Sequence, residues 1–399
     1  MKFFILGSHP ALSIAEIATV VGTKKNYSKC SKEVLLLDEV EQEAETLQER
    51  LAGTIKIGEI VGEVKKIDRD EVAELFIALL SFTEKRVTFG ISAYSLDTHE
   101  DLSSEVKQIG MTLKNKLKED GRSARFVSAK TASLPSVAVV GEKLLENGAE
   151  FVLITSRDKI YLGQTSTVQN FNAWSDRDFG RPARDAKSGM LPPKLARMMI
   201  NLSGAELDNT VIDPFCGSGT VLMEAALMGF SKIIGGDISE KAIKDSKANL
   251  IWLDQNFGTE TSKIPLFVQP VETLTEVFSE KVDAVIAETY LGPPLSGHES
   301  LERRRQIVAE LTERTASALV GLKKLLKKNA TLVLALPAVK HEQEISYLPL
   351  KKLAATAGFK ILDPLPTSLP EYLKSKTSSG GLLYARKEQR VVREIVILK

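Results

Sequence analysis

Cysteine and histidine are scarce in this chain. Its 399 residues include two cysteines, Cys30 and Cys216, and four histidines, His9, His99, His298 and His341. Neither cysteine belongs to a CxxC pair and the histidines show no ligand spacing. That argues against a disulfide framework or a zinc site, and no metal is expected. Charge of one sign is also lacking. The formal net charge is +1, so the total gives no sign of a polyanionic partner. It does not exclude one, because a local basic face can sit inside a neutral sum. Long hydrophobic runs are absent, with no window approaching the roughly 18 apolar residues of a membrane span. The apolar stretch in MKFFILGSHPALS is too short for a signal sequence, and no small-residue cleavage site follows it. A soluble, cytoplasmic protein without membrane attachment is expected.

What is present suits ordinary globular folding. Apolar residues make up 43% and charged residues 26%, and the length suggests two or three domains. KFFIL reads as a strand. ALSIAEIATVVG has helical spacing, with Leu12, Ile14, Ala15, Ile17 and Ala18 on one side and Gly22 as a stop. Two further strands and a helix complete a small α/β unit over residues 1–65. Residues 66–170 repeat such an alternation and end in a hairpin-like pair, EFVLITSRDKIYLGQTSTVQ. Residues 171–189 turn polar, with Gly, Pro and clustered Arg and Asp, and read as a linker. From 190 to 399 strands and helices alternate, which predicts a parallel sheet with crossover helices. Within that region GLKKLLKKNA, 321–330, reads as an amphipathic helix.

The strongest local signal is VIDPFCGSGTVLMEAALMG, residues 211–229. A buried strand ends at Asp213, a tight turn follows, and a helix begins near Thr220. Gly217 and Gly219 remove side chains where a ligand must approach the backbone. The helix start offers free N–H groups to a polar or anionic group. Next comes KIIGGDIS, in which a second strand ends in Asp237. An acid at that tip suits a two-point contact to ribose hydroxyls. The turn does not spell G-x-G-x-x-G, and the acid before its first glycine argues against NAD.

DPFCGSGT resembles motif I of class I S-adenosylmethionine-dependent methyltransferases that modify nucleic-acid bases. Upstream, GRPARDAKSGMLPPKLARMMINLSG and FILGSHPALSIAEI resemble THUMP-containing tRNA guanosine-N2 methyltransferases, as does ARFVSAKTASLPSVAVVGEKLLENGAEFVLI. The resemblance covers nearly the whole chain and weakens after residue 290. It implies an N-terminal ferredoxin-like domain over 1–65 and a THUMP-like RNA-binding domain over 66–170. After the 171–189 linker, it implies a Rossmann-like methyltransferase domain over 190–399. It also implies S-adenosylmethionine as cofactor, held by Asp213, Pro214, Phe215, Gly217, Ser218, Gly219 and Thr220, with Asp237 on the ribose. The acid that the family places near the adenine aligns with Pro270 here. A backbone contact or Glu272 is the substitute. The implied partner is tRNA, gripped by shape and phosphates as duplex RNA generally is. Arg122, Arg125 and Lys130, with Arg181, Arg184 and Lys187 in the linker, are candidate phosphate contacts. A small activating protein is a further candidate partner.

The family's reactive loop reads Asn-Pro-Pro-Tyr or Asp-Pro-Pro-Tyr. Here the corresponding stretch is AETYLGPPL, residues 287–295. In one register Glu288 takes the acid's place and Tyr290 supplies the aromatic face that stacks on an extruded base. In the other, Gly292, Pro293, Pro294 and Leu295 keep the proline pair but offer neither acceptor nor ring. The first register is preferred, with Glu288 and Tyr290 as catalytic residues. The implied reaction is methylation of the exocyclic N2 amine of a tRNA guanosine, with position 10 as the candidate. Three alternatives stand beside it: a catalytically degenerate tRNA-binding protein that retains the cofactor, a partner-dependent subunit, and an enzyme acting on adenine N6 or on DNA.

Overall fold

Seven strands from the first 170 residues join into one continuous sheet among the described residues. The computed structural model describes every residue except 81–85, 98–100, 185–189, 296, 343 and 387–388. The chain first runs through β1 (Lys2–Leu6), α1 (Pro10–Val21), β2 (Val34–Leu37), α2 (Ala44–Arg50) and β3 (Thr54–Val64). It continues through α3 (Arg69–Leu79), β4 (Arg86–Ser95), α4 (Ser103–Glu119) and β5 (Ser123–Val127). Then come α5 (Ser136–Gly141), α6 (Leu144–Asn147), β6 (Gly148–Thr155) and β7 (Ile160–Val168). The sheet order is β2-β1-β3-β7-β6-β4-β5. The expected boundary at 65/66 therefore does not separate two sheets. β3 pairs antiparallel with β7 along its length, from Lys56 opposite Val168 to Val64 opposite Ile160.

Helix α4 shows why this unit packs as it does. Val106, Ile109, Leu113 and Leu117 recur at three- and four-residue spacing and are all buried. Gly110 interrupts that face, at a cost of roughly 1 kcal/mol in helix propensity. A Cβ there would meet the Phe126 ring at 2.3 Å, and that ring stacks on Phe89 with centroids 5.3 Å apart.

The structure divides into two units. One holds Met1–Ile14, Val21–Asn170 and Pro366–Leu373; the other holds Ala15–Val20, Phe171–Leu365 and Lys374–Lys399. The late segment is tied into the first unit by polar contacts. The Tyr27 backbone N–H donates to Ser368 Oγ at 3.0 Å, and the Tyr372 hydroxyl donates to the Cys30 carbonyl at 2.8 Å.

The second unit begins with α7 (Phe171–Ser175), a π-helical turn (Asp176–Gly180) and α8 (Pro193–Leu202). Next are β8 (Thr210–Asp213), α9 (Thr220–Leu227), β9 (Lys232–Asp237), α10 (Glu240–Phe257) and β10 (Leu266–Val268). β11 (Val282–Glu288), α11 (Leu301–Leu325), β12 (Leu326–His341), β13 (Glu344–Ser346), α12 (Leu350–Thr356) and β14 (Ile361–Leu362) follow. β15 (Leu382–Tyr384) and β16 (Val391–Leu398) complete the unit. The main sheet order is β10-β9-β8-β11-β12-β16-β14. The pairs from β10 to β12 are parallel, and β16 inserts antiparallel beside β12. Strand order reverses direction at β8 and β11, the switch point where open α/β sheets bind ligands at their carboxyl ends.

One expectation is corrected. The 321–330 helix ends at Leu325, and β12 begins at Leu326. Leu322 and Leu325 stay in the core, while Lys281 Nζ takes the Lys324 carbonyl, which a longer helix would have used. Asn329 then adopts a left-handed φ of 73°. Within the expected 171–189 linker, Trp174, Arg177 and Arg181 are buried. Glu224 of α9 is 1% exposed and draws two cations inward: Arg177 Nε donates to it at 2.7 Å and Arg197 Nε at 2.9 Å. Both guanidiniums lie over the Trp174 ring, 4.1 and 5.0 Å from its centroid. Among the described residues no helix is long and apolar enough to cross a membrane.

Candidate active site

The turn after β8 is held in shape by its own backbone and by α10. Asp213 Oδ1 accepts from the Phe215 N–H at 3.0 Å, and Cys216 N–H donates to the Gly236 carbonyl at 2.8 Å. Gly217 and Gly219 have φ of 53° and 84°, the left-handed region that glycine tolerates. Ser246 Oγ donates to the Gly217 carbonyl at 2.7 Å, and Asn249 Nδ2 to the Ser218 carbonyl at 2.8 Å. A Cβ at Gly219 would press on Ser246 Oγ at 3.1 Å. Asp237 ties the two loops together, accepting from Gly217 N–H at 3.0 Å and Ser239 N–H at 2.9 Å.

A cavity of about 440 Å³ opens over this turn, walled by Asp213, Gly217, Thr220, Asp237, Glu288 and Met190 among others. A second, also about 440 Å³, shares Phe215, Asp237, Ile238, Thr289 and Tyr290 with it and continues past Pro270 and Glu272. Of the eight residues expected to hold the cofactor, seven line one or both cavities. Gly219 lines neither and acts on the turn's shape. Pro270 and Glu272 both line the second cavity, with Glu272 Oε1 accepting from Ser317 Oγ at 2.9 Å.

The AETYLGPPL loop leaves β11 after Glu288. Thr289 still belongs to the sheet, its N–H donating to the Ala335 carbonyl at 3.1 Å. Glu288, Thr289, Tyr290 and Leu291 line the first cavity, whereas Gly292, Pro293, Pro294 and Leu295 line neither. Tyr290 is 52% exposed, with the Arg314 guanidinium 5.0 Å from its ring centroid. The Glu288 side chain is 15% exposed and pairs with Arg393, which is 2% exposed. Arg393 Nε donates to Glu288 Oε1, and Nη2 reaches Glu288 Oε2 at 3.4 Å and the Met190 carbonyl at 3.3 Å. Burial pushes the Glu288 carboxyl above the ordinary carboxylate range, and the Arg393 charge offsets only part of that rise. Burial pushes Asp213 well above the ordinary carboxylate range, and the neighbouring Asp237 and Glu288 add to that.

The candidate phosphate contacts are scattered. Lys130 is exposed, and Arg122 is half-buried. Arg125 is exposed and pairs with Glu142 at 2.8 Å. Arg184 is exposed, its guanidinium 5.0 Å from the Phe179 ring. Lys187 lies outside the described residues. Arg181 is a correction: it is 2% exposed, donating to Thr220 Oγ1 at 2.6 Å, so it is not presented to a phosphate. Its place beside α9 explains the burial, because that helix start takes the guanidinium's hydrogen bond.

Three residues at the site were missed in the sequence. Ile238 follows the β9 acid and is 72% exposed over both cavities; an apolar residue directly after that acid was its signal. Arg393 could have been found as one of two adjacent charges, with Glu394, inside the apolar run VVREIVIL. Arg314 left no signal among the many charges of α11.

Residues 181–320 match the UPF0020 family, described as an RMKL-like methyltransferase domain. The matched residues lie within the second unit. Over 80% of its length the chain is 26% identical to the tRNA (guanine(10)-N2)-dimethyltransferase of Methanothermobacter thermautotrophicus, covering 85% of that protein. The protein of the same name from Methanocaldococcus jannaschii is 31% identical over 38% of this chain and 44% of its own. In fold the chain is similar to the solved structure of TrmN from Thermus thermophilus. Its TM-score is 0.56 at 17% identity, over 100% of this chain and 99% of that one.

Proposed function

We propose that the protein methylates the exocyclic N2 amine of a guanosine in tRNA, with S-adenosylmethionine as donor. The observation that carries this reading is the Glu288 carboxylate on the wall of the cavity built by the DPFCGSG turn. The residues present suit the donor. Asp237 at the β9 tip faces both cavities, glycine leaves the turn open at Gly217, and Ile238 offers an apolar face for a purine. When bound there, S-adenosylmethionine would supply an electrophilic methyl group on a sulfonium, with S-adenosylhomocysteine as the leaving group.

The chain's own residues address the acceptor. An exocyclic amine is a weak nucleophile because its lone pair is delocalised into the base. Glu288 accepts the amine's hydrogens, draws the lone pair toward the methyl group, and receives the proton that the nitrogen sheds after transfer. Tyr290, half exposed beside it, stacks on the extruded base. Positioning and fixed charge supply the acceleration. The first 170 residues are the tRNA-gripping module, of the ferredoxin-like and THUMP-like kind, and Arg122, Arg125, Lys130 and Arg184 are its candidate phosphate contacts with the adjoining segment. The work is cytoplasmic, and position 10 is the target by analogy with the named relatives.

The test is transfer of labelled methyl to an unmodified tRNA transcript, followed by digestion to nucleosides. Label should appear in N2-methylguanosine and vanish when inosine, which lacks the amine, replaces the guanosine. Label in N6-methyladenosine would overturn the substrate. No label despite cofactor binding would overturn catalysis by the protein alone, and recovery on adding cell extract would point to a small activating partner.

A further inference from the structure

The catalytic loop differs from the usual form in two ways that bear on each other. A glutamate replaces Asn or Asp, and Thr289 stands where a proline would stiffen the chain. A longer acid has more side-chain orientations to lose, and sites of this kind tolerate errors of only about half an ångström. Something outside the loop must restrict it.

We propose that Arg393 is a positioning residue for methyl transfer, holding Glu288 as a carboxylate in one orientation on the cavity wall. This rests on the methyltransferase reading above. The geometry is specific. Arg393 comes from β16, with β12 lying between it and β11. Ala335 of β12 stands opposite Glu288, and Pro337 stands opposite Arg393. The guanidinium reaches across to grip both Glu288 oxygens, which fixes the carboxylate plane as a single-point cation would not. Its Nη2 also donates to the Met190 carbonyl at 3.3 Å, and Met190 lines the same cavity. One buried side chain thus ties the loop acid to the segment entering α8.

The charges around Glu288 make the cation necessary. From β8 it faces Asp213, with Asp237 beyond at the end of β9. Lys241 and Asp245 of α10 stand on the wall of the same cavity, and Arg393 is the partner from β16. A third acid in that company protonates more readily when its cation is removed. A protonated Glu288 keeps a hydrogen where the amine needs an acceptor.

The experiment compares wild type, Arg393→Gln, Arg393→Lys and Glu288→Gln/Arg393→Gln. The readouts are single-turnover methyl transfer from pH 6 to 9, the cofactor dissociation constant by calorimetry, and the Glu288 carboxyl carbon by NMR, identified through Glu288→Gln. Arg393→Gln should keep cofactor binding and lose rate at pH 7 in proportion to the fraction of Glu288 left protonated, about tenfold for each unit by which the acid's pKa then exceeds 7. The rate should return toward pH 9, with the carboxyl resonance titrating over the same range. Arg393→Lys should fall between the two, and the double variant should show no acid limb. An unchanged rate and profile in Arg393→Gln would overturn the proposal, as would a loss with the wild-type profile, which marks a structural role. If Arg393→Gln does not fold, an unaltered acid limb in Arg393→Lys overturns the proposal and a displaced one supports it. A wild-type protein that transfers no methyl defeats the functional reading instead, and the carboxyl resonance still tests what Arg393 does.

Discussion

Each unit buries an acid against a cation, and the two pairs are finished differently. In the first, Lys56 and Glu150 are 2% and 0% exposed and 2.5 Å apart. Glu150 Oε1 also accepts from Ser92 Oγ at 2.6 Å, and Oε2 from Thr165 Oγ1 at 2.8 Å. Lys56 donates further to the Leu134 carbonyl at 2.8 Å. Every strong partner is internal. In the second unit Arg393 is equally buried, but Glu288 keeps one side on a cavity. Burying charge costs several kcal/mol per ion in either place. Where the hydrogen bonds close on themselves the pair specifies a sheet; where the acid is left facing a cavity, it is available to a substrate.

That contrast can be broken from either side. The largest effect is expected from Lys56→Met, which leaves Glu150 uncompensated and should cost about 3–5 kcal/mol in calorimetric stability. Methyl transfer per folded molecule should stay at the wild-type rate. A stable variant, or a folded one with impaired transfer, would erase the distinction between the pairs. Next is Tyr290→Ala, which removes a half-exposed ring beside Glu288. Losing a base–aromatic stack should weaken the tRNA complex by about 1–3 kcal/mol, read in KM for tRNA with the cofactor affinity unchanged. The smallest effect is a pH dependence. Asp213 has its folded pKa raised by burial, so the free protein loses stability as pH rises from about 4 toward that higher value. Asp213→Asn should therefore raise Tm more at pH 8 than at pH 4, and an equal gain at both would contradict the burial.

Much of this was legible where sequence neighbours do the work. The turn from Asp213 to Thr220 needs glycines at fixed offsets, and those show in the letters. Glu288 was readable because a strand's apolar run points to its own end. α4 was readable because its buried stripe repeats within one helix. The unread parts depend on distant pairing. Arg393 reaches Glu288 only because β16 inserts beside β12, and nothing local announces that register. Arg181 was read as a phosphate contact because its acceptor, Thr220, lies on a helix further along the chain, as does Glu224, the acceptor of Arg177. One sheet spans the expected 65/66 boundary for the same reason: β3 pairs directly with β7, with β4, β5 and β6 between them only in sequence.

The most direct test of the central claim, that AETYLGPPL is a working loop with Glu288 as its acceptor, is single-turnover methyl transfer by Glu288→Ala beside calorimetric cofactor binding. The account predicts binding close to wild type and a rate lower by about 10²–10³, the usual loss when one preorganised group is removed from a reacting centre. A variant that binds the cofactor and transfers methyl to guanosine at the wild-type rate would contradict it.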